Sequence, residues 1–270
     1  MALRFFIFNL FIFFLGISVS QAHEYWLEPE SFFLKPGGKS AIRMFVGERL
    51  KPEEERPFQA SKTSLFKMYS AGGDFDLLGS GREGQTPIFT FSSLKEGTFL
   101  LALERNWSYI TLSPTDFENY LREDGMEYII TERRKLGETD KDGKERYSRY
   151  LKSLIQVGAR RDRTFRRQVG LSLEIIPLEN PYAKKRGDQL KIQILFRGTP
   201  LGNKTIFSDV RNGNDIETNR YETDSNGTAA VKLTTGGVWL IRVVHMERCP
   251  VACEGADWQS FWAAVTFGLK

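Results

Sequence analysis

The chain has 270 residues, 41% of them hydrophobic and 27% charged, with a mean hydropathy of −0.35 and a formal net charge of +4. That length buries a sizeable core as one large or two small domains, and the composition argues against a disordered chain and against a polytopic membrane protein. With 38 basic against 34 acidic residues, nothing in the charge balance calls for nucleic acid as a partner.

Residues 1–22 carry one charge, Arg4, followed by a run over 5–19 that is apolar apart from Asn9 and Ser18, and they close on Ser20-Gln21-Ala22. A basic start, an apolar run of about 15 residues and a small-x-small end predict a secretory signal peptide, since a membrane-spanning helix needs about 20 residues. Cleavage after Ala22 would leave 37 basic and 34 acidic residues, and His23 would come first.

Residues 23–112 predict an N-terminal β domain. Ile42, Met44 and Val46 alternate with Ala41, Arg43 and Phe45 before Gly47, and short apolar stretches recur at 65–69, 88–91 and 98–103. Pro36-Gly37-Gly38, Gly72-Gly73 and Gly79-Ser80-Gly81 separate them as turns.

Residues 113–167 predict a helical, basic segment. Ser113-Pro114-Thr115-Asp116 is a helix start, with a capping serine and proline at the first helical position, and Phe117, Tyr120 and Leu121 form an apolar face before Gly125. Tyr147, Tyr150, Leu151, Leu154 and Ile155 fall at i, i+3, i+4, i+7 and i+8 ahead of Gly158, which predicts a second helix. Between residues 131 and 167 there are 13 Lys or Arg against 6 Asp or Glu. Such a run reads as a solvated face, with contact to anionic lipid headgroups or an acidic partner as the functional alternative.

Residues 168–270 return to strands and predict a second small sandwich, with Thr223-Asp224-Ser225-Asn226-Gly227 as a turn between two of them. The fold expected is mainly β: two antiparallel β-sandwich lobes with a helical insertion between them. His245 falls at the end of the apolar strand over 238–244.

The chemistry-bearing residues are few. Cys249 and Cys253 are the only cysteines, and in an oxidising compartment a pair so close is expected to form a disulfide, with ligation of a soft metal as the alternative. His23 and His245 are the only histidines. An N-terminal histidine offers its α-amine and its ring Nδ1 as a chelate, and the imidazole of His245 would complete a three-nitrogen brace suited to copper(II) or nickel(II). Glu24, Asp257 or a water would fill the remaining position. Both histidines serving as ordinary structural residues is the alternative.

The start His23-Glu24-Tyr25-Trp26-Leu27-Glu28-Pro29, the 117–125 segment, the 146–152 stretch, Leu173-Glu174-Ile175-Ile176-Pro177, Gly198-Thr199-Pro200-Leu201 and the path from Trp239 through His245 to Trp262 run in order along the chain. Together they resemble the domain of unknown function 4198 family. The resemblance implies a periplasmic protein associated with nickel or cobalt uptake, working with a membrane metal transporter component. It also implies a last part similar to small transthyretin-like and carboxypeptidase-regulatory-like sandwiches, within a fold of immunoglobulin-like or transthyretin-like lobes. Three readings follow as expectations: capture of a divalent ion (nickel, cobalt or copper) without catalysis, a copper oxidase or oxygenase using the same brace, or a structural β-sandwich protein that binds no metal.

Overall fold

The computed structural model describes residues 23–250 and 253–270; the expected signal peptide over 1–22 lies outside the described residues. The N-terminal strands are β1 (Glu24–Pro29), β2 (Phe33–Leu34), β3 (Lys39–Glu48), β4 (Lys51–Arg56), β5 (Thr63–Ser70), β6 (Gly73–Asp76), β7 (Phe89–Ser92) and β8 (Gly97–Leu112). Two helices follow, α1 (Pro114–Glu123) and α2 (Glu127–Lys135), and then β9 (Gly143–Val157). The remaining strands are β10 (Leu173–Pro177), β11 (Gln189–Phe196), β12 (Thr199–Pro200), β13 (Thr205–Asn212), β14 (Asp215–Glu222), β15 (Thr228–Lys232), β16 (Gly237–Arg248) and β17 (Trp258–Leu269).

One nine-stranded sheet runs through both halves of the chain in the order β14-β13-β16-β17-β9-β8-β5-β6, with β2 added on β9. Its middle is the parallel pairing of β17 with β9, in which Trp258 lies opposite Glu145 and Thr266 opposite Ser153. The two halves are therefore not separate lobes joined by a helical segment; they share a sheet.

Side-chain alternation gives that sheet two buried faces. Tyr150, Leu154, Ile241, Val243, Ala263 and Val265 pack on one side against Leu173, Ile175, Ile192 and Val231 of the small sheet β10-β11-β12 with β15. Leu101, Leu103, Leu151, Ile155 and Leu240 pack on the other side against Trp26, Leu27, Ile42 and Met44 of the small sheet β1-β3-β4 with β7. On this second side α1 and α2 also dock, through Phe117, Tyr120, Leu121, Ile129 and Ile130 against Val244, Met246, Trp258 and Trp262.

The helix expected over 147–155 is instead part of the 15-residue strand β9, a correction with a clear cause. A strand buried on both faces has apolar residues at odd and even positions alike, so helical spacing occurs among them by coincidence. The helical region is correspondingly shorter than expected and ends at Lys135. Helix α1 forms as its residues dictate: the Ser113 side chain accepts the Asp116 N–H at 3.2 Å, and Pro114 occupies the first turn. Gly125 ends it at φ +73°, where a Cβ would also run into the Thr205 side chain, so both backbone and packing demand glycine.

The basic run does not form one solvated face. Arg133 is buried and donates to the carbonyls of Glu138 (2.7 Å) and Lys141 (2.6 Å), and Arg149 and Lys152 point into the protein from β9. Cys249 and Cys253 are joined in a disulfide with their Cα atoms 5.7 Å apart, as expected from their spacing.

Candidate functional site

His23, just ahead of β1, and Glu24 and Tyr25 at its start lie near Tyr120 of α1, Arg242 of β16 and Arg149 of β9. Two adjoining cavities open there, of about 190 Å³ and about 120 Å³, and His23 and Tyr120 line both. The pair forms one cleft with two chemically different halves.

The first half is acidic and centred on Arg242. Its Nη1 lies 2.9 Å from Glu24 Oε1 and 3.5 Å from Asp124 Oδ1, and its Nε donates to Asp209 Oδ2 at 2.8 Å. Burial works against the guanidinium charge, but Glu24, Asp209 and Asp124 outweigh it and hold the pKa above its ordinary value. One cation facing three carboxylates leaves the carboxylates under-compensated. Burial, only partly offset by Arg242, pushes Glu24 up to about 7 and Asp124 up to about 8. Glu24 Oε2 also accepts the Arg49 N–H at 2.5 Å, which fixes the carboxylate at the cavity wall with Glu48 and Glu123 nearby.

His23 sits at the junction. Its Nδ1 is buried and makes no hydrogen bond; Glu53 Oε2 is within ion-pair range at 3.4 Å, without hydrogen-bond geometry. That atom is the ring nitrogen that could close a chelate with a free α-amine.

The second half is basic and aromatic. Arg149 points into it from β9, only 6% exposed, with its Cζ 4.2 Å from the Tyr25 ring centroid and 5.1 Å from those of Tyr147 and Trp262. Arg56 donates through Nε to Tyr25 Oη at 3.1 Å, and Val46, Ile110 and Leu112 complete the wall. Tyr120 stacks on Trp262 with centroids 5.8 Å apart and donates to Glu145 Oε1 at 3.1 Å. Ser260 Oγ also donates to that oxygen, yet burial dominates and pushes Glu145 up to about 7.

His245 is elsewhere. It belongs to the face of β16 that carries Ile241 and Val243, opposite to the face of Arg242, and its ring packs at 4.5 Å on Phe196. Tyr128 Oη lies 3.2 Å from its Nδ1, and burial, followed by the charges of Lys204 and Arg197, pushes its pKa down to about 3. The sheet thus separates His23 from His245, and the structure does not bring the three nitrogens of a brace together. Asp257 lies at the β16–β17 connection, 3.9 Å from Arg248, and does not line the cleft; Glu24 does. Among the described residues, no group of three or more His, Cys, Asp and Glu side chains is arranged to hold a metal ion.

The sequence pointed to His23 and Glu24 but not to Asp124, Arg149 or Arg242. Only Arg242 carried a local signal, as a charged residue interrupting the apolar 238–244 strand; Asp124 and Arg149 lie among other charged residues, and nothing local marks them.

Fold and site together define a mainly β protein with a bipartite cleft beside the start of its first strand. The chain belongs to the family described as Domain of unknown function (DUF4198), whose model matches residues 20–247. That span includes every cleft residue named above except Ser260 and Trp262. No curated protein matches the chain.

Proposed function

We propose that this protein captures a divalent transition metal (nickel, cobalt or copper) in the periplasm, without catalysis, and passes it to a membrane transporter component. The observation that carries this reading is the buried His23 Nδ1, which lacks a hydrogen bond and lines the cavity shared with Glu24 and Asp124. The His23 imidazole with the adjoining Glu24 carboxylate is a mixed nitrogen and oxygen donor pair of the kind first-row divalent ions accept. The missing donor is the α-amine that cleavage after Ala22 would create, so the site is complete only in the processed chain. His245 has no part in it. A cation there would offset the charge excess around Arg242, and its binding would release the protons that Glu24 and Asp124 hold near neutrality. We read the finer fold of the last third, the small sheet of β10, β11, β12 and β15 over the large one, as a transthyretin-like or immunoglobulin-like lobe.

Isothermal titration of nickel(II) and copper(II) into protein beginning at His23 tests this. One site is expected, with protons released on binding. Retaining Ala22 removes the amine from the chelate and is expected to weaken affinity at least about tenfold, or about 1.4 kcal/mol. His245→Ala is expected to leave it nearly unchanged. Equal affinity with Ala22 retained, or loss of binding in His245→Ala, overturns the reading.

A further inference from the structure

Arg149 is the buried charge that capture of a metal ion does not use. Its Nη1 is buried without a hydrogen-bond partner, and among the described residues it forms no ion pair. Glu145, the carboxylate that lines the same cavity, is hydrogen-bonded by Tyr120 and Ser260 instead. An unpaired guanidinium in such a setting is costly, and burial pushes its pKa down. Three rings lie against it and Arg105 adds a second positive charge nearby, 5.5 Å over the same Tyr25 ring. The neighbouring cavity is small, about 120 Å³, and walled partly by Val46, Ile110 and Leu112.

We infer that this basic half is a carboxylate subsite: Arg149, with Arg56 at the opening, takes the planar carboxylate of a small organic acid whose apolar part lies along Val46, Ile110 and Leu112. A guanidinium presents in-plane N–H donors that match a carboxylate edge to edge, and stacking on rings leaves that edge free. The apolar wall disfavours a strongly hydrated inorganic dianion. The acidic half beyond His23 repels a second carboxylate, so the occupant is a monocarboxylate. The inference goes beyond metal capture and does not depend on it, because Arg149 and Arg56 lie outside the metal-binding half.

Propionate added to the metal-free protein tests the subsite, read by calorimetry and by the change in total tryptophan fluorescence, to which Trp262 in the cavity wall contributes. Propionate is expected to bind, while propionamide and inorganic phosphate bind at least about tenfold more weakly. Arg149→Met is expected to weaken propionate at least about tenfold and Arg56→Gln about threefold, with nickel affinity unchanged in both. Absence of propionate binding, phosphate bound as tightly as propionate, or unchanged propionate affinity in Arg149→Met overturns the inference. Should Arg149→Met fail to fold, unchanged affinity in the half-exposed Arg56→Gln overturns it. Loss of nickel binding in the wild type would bear on the metal site alone.

Discussion

Replacing Glu174 by Gln is expected to destabilise the protein by about 3–5 kcal/mol at neutral pH, a fall of about 6–20 °C in Tm for a domain of this size. Lys152 of β9 and Glu174 of β10 are almost fully buried, at 2% and 3% exposure, with Nζ 3.0 Å from Oε1. Lys152 also donates to the Ile175 carbonyl at 2.9 Å, and Glu174 accepts the Val169 N–H at 2.9 Å. Glutamine keeps an acceptor but removes the charge, leaving an ammonium buried between the large sheet and a small one. Burial already lowers the Lys152 pKa. The variant can therefore shed its proton, and the deficit should shrink between pH 7 and pH 9.5. Replacing both partners together, Lys152→Met with Glu174→Leu, should recover most of the loss, though not the hydrogen bond from Val169. Chemical denaturation of the three proteins at both pH values measures this. A single variant as stable as the wild type at pH 7 would contradict it.

The second large effect concerns pH. In the folded protein Glu24, Asp124 and Glu145 titrate near 7, 8 and 7, whereas in the unfolded chain carboxyls titrate near about 4. Between those values the folded state holds more protons, so stability falls as pH rises through the window from about 4 to 8. His245 acts in the opposite direction: its folded pKa of about 3 lies below its unfolded value near 6.5, so stability is lost as pH falls from 6.5 toward 3. Lys204, pushed down to about 8 by burial, adds a nearly constant cost below that pH. From pH 6.5 to 8 the carboxyls dominate, and Tm should fall across that interval. Glu145→Gln, which keeps the one oxygen that accepts from both Tyr120 and Ser260, should flatten the fall by removing one contributor. A divalent ion bound beside Glu24 and Asp124 should stabilise more at pH 8 than at pH 6.5. Tm rising from pH 6.5 to 8 without metal would contradict the charge arrangement around Arg242.

Local signals in the chain were sufficient where the structure is local. The Ser113-Pro114 cap marks α1, the alternation at Ile42, Met44 and Val46 marks β3, and the spacing of Cys249 and Cys253 marks their disulfide. Long-range pairing was not legible. Nothing around Glu145 announces that it will lie parallel to Trp258, and that contact merges two expected lobes into one sheet. The same merger decides the site, because it sets His23 and His245 on opposite faces. Strand β9 was misleading for a related reason: burial on both sides erased the period of two that identifies a strand. Its Arg149, read as one member of a basic run, is instead the charge at the centre of the basic half-cleft.

The most direct measurement is the position of the metal. A crystal of protein beginning at His23, soaked in nickel(II) and measured at the nickel absorption edge, should show its anomalous peak between the His23 ring, the α-amine and the Glu24 carboxylate. Nitrogen ligands should lie at about 2.0–2.1 Å, by analogy with zinc. A peak at His245, or at Cys249 and Cys253, with none at His23 would contradict the account.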